Sequence, residues 1–236
     1  MKRIHQKRNY DWKEVIGRIL FITFVLCIIY LIFKVVISLT GTMASGVYDQ
    51  MNNEYVLALI LIVLGATVMV LPSIITKKRF VRVPNYMYLF FFMFLYCAMY
   101  LGEMERFYYI IPKWDIATHV FSSAMLVVLG FMIVNILNNK ERVNTHTSPM
   151  FVALFAFCFS LSISIAWEIY EYVFDGLLSL NMQKYALEDG TLLVGHMAIS
   201  DTMEDVFVSA LGAFIIAVIG FFIIKRQTKY STDSCS

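Results

Sequence analysis

The chain alternates long apolar runs with short polar stretches. A bilayer core of about 30 Å needs about 20 apolar residues in one helix. Six segments reach that length: residues 18–39, 55–75, 86–104, 115–138, 150–175 and 201–224. Polar loops bound each run, and Pro84 and Pro149 punctuate the starts of the third and fifth. Apolar residues are continuous within the runs and do not alternate, which excludes a membrane β-barrel. The pattern predicts an all-α fold, a polytopic membrane helix bundle of about six transmembrane helices across 18–224. Residues 1–17 then form an N-terminal segment and 225–236 a tail. The first run exceeds the roughly 7–15-residue core of a signal peptide, so it reads as an anchor. Thr42-Met43-Ala44 behind it is a weak cleavage candidate.

Composition narrows the class. Of 236 residues, 60% are hydrophobic and only 15% charged, with a mean hydropathy of +0.72. Soluble domains carry roughly 25% charged residues, so this chain has too little polar surface to wrap a globule in water. The same figures exclude disorder, collagen-like repeats and a secreted disulfide scaffold. Cys27, Cys97 and Cys158 lie in apolar runs and Cys235 in the tail, with no Cys-x-x-Cys pair for a zinc knuckle or redox motif. A net charge of +2 implies no nucleic-acid partner. P-loop, dinucleotide-binding and nucleophile-elbow signatures are absent.

Lysine and arginine in short loops orient such a bundle. Lys2, Arg3, Lys7, Arg8, Lys13 and Arg18 lie at the N-terminal end, and Lys77, Lys78, Arg79 and Arg82 between the second and third runs. Lys140 and Arg142 follow the fourth run, and Lys225, Arg226 and Lys229 the sixth. These are 15 of the 19 basic residues, all on one side, which reads as the cytoplasm with both termini inside (N-in, C-in). Arg106, Lys113 and Lys184 fall opposite, and Lys34 snorkels. Among acids, only Asp11, Glu14, Glu141 and Asp233 share the basic side. The other 13 of 17 gather at the outer ends of the helices or in the outer loops, which sorting by positive charge does not require.

Three outer helix ends hold the chemistry. At 100° per residue, Asp115, His119 and Ser122 fall within an arc of about 60° on the fourth helix. Ser160, Ser164, Glu168, Glu171 and Asp175 share an arc of about 80° on the fifth. Asp201 and Asp205 stand one turn apart on the sixth. With a rise of 1.5 Å per residue, His119 and Asp205 lie about 6 Å below their helix starts, and Glu168 about 10 Å below Asp175. No comparable supply of Lys or Arg is expected at that level. Ionisable groups in a membrane face a bundle interior and need partners, so this layer points to a bound divalent metal or to protons retained on the acids.

The ligand candidates are Asp115, His119, Glu168, Glu171, Asp201 and Asp205, resembling the inward acids and histidines of helical di-metal bundles. Oxygen donors with one imidazole suit Mg²⁺ or Mn²⁺, with Zn²⁺ also within range. His119, Glu168 and Asp205 are the acid–base candidates, and Asp175, His196 and Glu204 are accessory. Simpler readings stand beside this one. Asp115 and Asp201 occupy N-cap positions, and Asp201 with Glu204, or Thr202 with Asp205, has capping-box spacing. His119 also reads as an interfacial histidine, and His196 as a solvated loop residue. Glu168, Glu171 and Asp175 resist capping, because a helix C-terminus disfavours anions. Ser122 and Ser160 are nucleophiles in principle, although buried helix serines usually bond back to their own backbone.

Tyrosines and tryptophans crowd the helix ends, including Tyr96, Tyr100, Tyr108, Trp114 and Trp167. They read as interfacial anchors, with walls of a lipid or isoprenoid groove as the alternative. Ser209, Ala213 and Ala217 recur at i+4, and Gly65 with Ala66 sits in the second run; both predict close helix packing.

The motifs Trp114-Asp115-x-x-x-His119-x-x-Ser122, Trp167-Glu168-x-x-Glu171-x-x-x-Asp175, Met182-Gln183 and Asp201-Thr202-Met203-x-Asp205, then Gly212-Ala213, form one set. Over roughly residues 85–224 they resemble the YjdF-like family of uncharacterised bacterial multi-pass membrane proteins. The resemblance implies a bacterial cytoplasmic-membrane protein and fixes no activity. Ser123 departs from the family, which often has Gly there. A remoter similarity to VanZ-like proteins is analogy alone.

Three functions compete. One is a metal-dependent hydrolase or transferase working on a membrane or envelope lipid from the outer leaflet. Another is a non-catalytic binding or structural membrane protein, partnered by lipids, by a second copy of itself or by another membrane protein. The third is a cation or small-molecule transporter, which usually needs a polar site near the midplane. The inner halves of these helices offer little beyond Asn135.

Overall fold

In hydrocarbon a backbone finds hydrogen-bond partners only within itself, so uninterrupted Leu, Ile, Val and Phe runs become helices. The computed structural model describes residues 12–40, 55–68, 85–138, 147–187 and 190–233. Helix α1 spans Trp12–Thr40, α2 Tyr55–Val68 and α3 Asn85–Leu95, which continues without a break as a π-helix, Tyr96–Met104. A short α4, Phe107–Ile110, leads to α5, Trp114–Asn138, and α6, Pro149–Leu178. A 3₁₀ turn, Gly195–Ile199, opens α7, Ser200–Asp233. Four stretches are long and apolar enough to cross a membrane: Val15–Ile37, Trp114–Asn138, Pro149–Leu178 and Gly195–Gln227. Tyr55–Val68 and Met87–Gly102 are shorter apolar helices. Among the described residues there is no strand, only one isolated bridge between Ala186 and Leu192.

The all-α reading therefore holds, with adjusted ends. The first helix starts at Trp12 and the last continues to Asp233. The third run is not one α-helix, because its ladder widens to π at Tyr96. Near its end the Tyr108 ring lies against Gly102, where a side chain would force the ring to move, and Arg106 then turns the chain through a left-handed φ of 57°. Ser148 caps α6 by accepting from the Phe151 N–H at 3.2 Å, with Pro149 at the first helical position. The basic runs at 2–8, 77–82 and 140–142 lie outside the described residues. So do residues 69–75, Pro84, Thr42–Ala44, His5, His146 and Cys235.

Two packing regimes share the bundle. Helices α5, α6 and α7 pack on one another along small residues. Val127, Ala156, Ala213 and Ala217 form the core there, and the Ser209–Ala213–Ala217 stripe is at most 4% exposed. A Cβ on Gly130 would stand 2.8 Å from Ala156 Cα, and one on Gly212 2.7 Å from Ser123 Oγ. Helices α1, α2 and α3 instead interlock large side chains, among them Phe24, Leu31, Leu61, Ile62, Phe92 and Leu95. Gly65 lets α2 approach, its Cβ position facing Met99 and Phe24. α3 touches both α1 and α5 and so joins the halves. Large apolar residues such as Phe207, Leu211 and Leu177 cover the outside, as a lipid solvent requires.

Candidate metal centre

At one end of the α5–α7 unit, the three helices bring their polar residues to one point. Asp115 and His119 lie one turn apart on α5, and Asp205 sits in the second turn of α7. One ligand atom from each of Asp115, His119 and Asp205 falls within 4.8 Å of the other two. His119 Nε2 is 3.6 Å from Asp115 Oδ1, 3.9 Å from Asp205 Oδ2 and 3.9 Å from Glu168 Oε1. Its other nitrogen, Nδ1, lies 3.3 Å from Ser209 Oγ. This contact fixes the ring orientation and turns Nε2 towards the acids. His119, Glu168 and Asp205 are all buried.

Glu168 is the unusual member. It is 5% exposed, and neither carboxylate oxygen has a hydrogen-bond partner. An unpartnered buried carboxylate is costly, and this one faces the only imidazole in the cluster.

The remaining candidates have other occupations. The Glu171 carboxylate accepts from Trp167 Nε1–H at 2.8 Å, one turn back on α6. Asp175 accepts the backbone N–H groups of Met182 at 2.8 Å and Gln183 at 3.0 Å. His196 and Glu204 are exposed, and the structure does not bring them to the cluster. Ser122 and Ser164 donate to the backbone carbonyls of His119 and Ser160. Ser160 donates across to the Ser123 carbonyl on α5, at 2.9 Å. Neither Asp201 nor Thr202 caps its helix in the expected way. Asp201 Oδ1 accepts from Lys184 at 2.8 Å, and Thr202 Oγ1 accepts from Gln183 Nε2 at 2.9 Å.

Lys184 corrects the expectation that no cation reaches this layer. Its Nζ sits 2.7 Å from Asp115 Oδ2 and 2.8 Å from Asp201 Oδ1, tying α5 to α7. The path of the connecting loop explains the reach. Ser179 ends α6 in a left-handed conformation, and Leu180 turns inward to be 6% exposed. Asp175 then holds the next two amides. Asn181 exchanges hydrogen bonds with Ala186, and Lys184 itself adopts a left-handed φ of 46°. A loop wound back in this way delivers its cation over the helix ends. Lys184 is the only Lys or Arg between Asp175 and Asp201, the one sequence signal that marked it. Burial works against its ammonium, but Asp115 and Asp201 outweigh that and hold its pKa above the ordinary lysine value.

A cavity of about 310 Å³ adjoins the cluster between α2, α3 with its π continuation, α5 and α6. His119 belongs to both.

No curated protein and no solved structure matches the chain. A family model described as "Predicted membrane protein (DUF2238)" matches residues 26–226. That range includes every residue of the cluster from Asp115 to Asp205 and agrees with the resemblance carried by the spaced acids. The chain belongs to this predicted membrane protein family.

Proposed function

We propose that the cluster binds a divalent metal, held by Asp115, His119 and Asp205 with Glu168 beside them, and serves a hydrolase or transferase acting on a membrane lipid. The observation that carries this reading is Glu168, a buried carboxylate with no hydrogen-bond partner on either oxygen, 3.9 Å from the His119 Nε2 that sits among the ligand-bearing side chains. Oxygen donors with one imidazole suit Mg²⁺ or Mn²⁺, and Zn²⁺ tolerates the same set. Such an ion polarises a phosphoryl or carbonyl oxygen and activates water. Among the chain's own groups, Ser209 would orient the His119 ring, and Glu168 would take the proton released by the attacking nucleophile. The charge asymmetry of the loops supports an N-in, C-in arrangement in a bacterial cytoplasmic membrane, with the cluster opening to the outer leaflet.

A second reading is favoured by Lys184. Its bridge between Asp115 and Asp201 suits a structural role in which the acids fasten loop and helices without a metal. One experiment separates the two. Protein purified in detergent and equilibrated with Mn²⁺ or Zn²⁺ should retain about one ion per chain, the stoichiometry of a single site. The Asp205→Ala and Glu168→Ala variants should retain much less. Wild-type protein that emerges metal-free, or variants with undiminished metal, would leave the structural reading standing.

A further inference from the structure

The cavity next to the cluster has the lining of a hydrocarbon site. Leu61, Phe94, Ala98 and Leu126 are among its walls. Thr118, Ser122 and Ser164 also face it, but each hydroxyl is already committed to a backbone carbonyl of its own helix, at 2.8, 3.0 and 3.2 Å. Those hydroxyls leave no donor for a polar ligand. Two lining residues, Leu64 and Ile163, are each 39% exposed. The cavity is partly open and not enclosed, so a chain can enter it from outside the bundle. Its volume of about 310 Å³ holds roughly ten groups the size of a water molecule, each about 30 Å³. A methylene is similar in size, so an alkyl stretch of about ten carbons fits.

Position along α5 gives the direction. Thr118 and His119 lie near the helix start, and Met125 and Leu126 are two turns deeper. A chain threaded between them has its tail at Leu126 and its polar end level with His119.

We propose that this cavity holds one alkyl chain of a membrane lipid, and that the chain is the part of the substrate the centre recognises. The inference rests on the lipid-directed reading above and deepens it by naming the bound portion. Fatty-acyl and isoprenoid chains share the required chemistry, and the test distinguishes them.

The experiment reconstitutes the full chain in vesicles doped with one of two photoreactive probes. One is a phosphatidylcholine with a diazirine near its acyl terminus; the other is a polyprenyl phosphate with a diazirine on its chain. After irradiation, labelled residues are located by peptide mass spectrometry, and Mn²⁺ uptake is measured on the same preparations. The expected result is labelling at Ala98, Met125 and Leu126 above that at Phe207 and Leu211, which are 68% and 61% exposed on α7. The probe that produces it identifies the chain as acyl or isoprenoid. Ala98→Phe and Leu126→Phe, filling the cavity from opposite walls, should lose this excess and keep their Mn²⁺. Labelling that simply follows exposure in the wild-type protein overturns the inference, whether or not either variant folds. Mn²⁺ uptake with an unlabelled cavity removes the alkyl chain and keeps the metal. A labelled cavity without Mn²⁺ does the reverse.

Discussion

The two halves of the bundle solve the same packing problem with different materials. In α5–α7 the contacts are made by Gly, Ala and Ser, so backbones approach closely and polar side chains bridge helices. In α1–α3 they are made by Phe, Leu, Ile and Met. Where this half meets α5 and α6, the large side chains leave a space lined with hydrocarbon. Lipid tails are as apolar as leucine, so helices in a membrane associate through shape and hydrogen bonds, not through exclusion of water. The small-residue half therefore gains most from contact, and it carries the precisely spaced charges. The large-residue half tolerates looseness, and the cavity lies along its edge.

The contrast is tested most severely at Gly130. A Gly130→Val side chain would meet the Ala156 backbone, beginning at 2.8 Å, which cannot swing aside. Overpacking of this kind costs about 1–3 kcal/mol, and the upper end is expected here. Thermal unfolding in detergent should show a large loss, with metal retention falling alongside it. Gly65→Ala in the other half meets only the Met99 side chain and Phe24 ring, at 3.2 and 3.3 Å. It should be nearly silent in both measurements. Comparable losses from the two substitutions would dissolve the distinction.

A smaller and more specific effect is expected at Gly212. Gly212→Ala brings a methyl to 2.7 Å from Ser123 Oγ and should cost about 1–2 kcal/mol. Ser123→Gly removes the obstructing hydroxyl and should restore most of that loss, giving a clear coupling in a double-mutant cycle. Simple additivity of the two substitutions would show that the helices do not meet there.

Lys184 should give the smallest effect. Its side chain is 39% exposed, so solvent screens the bridge and Lys184→Met should cost about 1 kcal/mol or less. Removing this competing cation from Asp115 should also tighten Mn²⁺ binding, as read by titration. A raised folded-state pKa means the contribution is complete below the ordinary lysine value of about 10.4 and fades as pH rises through the folded value. The stability difference between Lys184→Met and wild type should therefore be the same at about pH 7 and about pH 9. A difference that shrinks over that interval would show that the ammonium is not held as drawn.

The long helices were legible because hydrocarbon demands continuous apolar runs, and α5, α6 and α7 follow theirs closely. The shared face of Asp115, His119, Glu168 and Asp205 was equally legible, since helical periodicity fixes which side chains line up. The π register after Leu95 left no such trace, because it changes hydrogen bonding without changing which residues are apolar. The role of Lys184 was hidden for a different reason. Where a loop cation points depends on its path, set here by Asp175, Ser179 and Leu180 acting together. Helical geometry placed Glu171 and Asp201 beside the other acids but could not assign their oxygens to Trp167 and Lys184.

The Lys184 bridge also has a consequence in time. It joins positions 69 residues apart in the chain, and synthesis runs from the N-terminus. When α5 is made, the Lys184 ammonium is not yet there for Asp115 to meet. The cation arrives only after α6 is complete, and Asp201 and Asp205 come later still. The charge pairing of the cluster is thus completed only late in synthesis, once Lys184 and Asp201 have both been made. A chain halted before Lys184 leaves Asp115 without this partner.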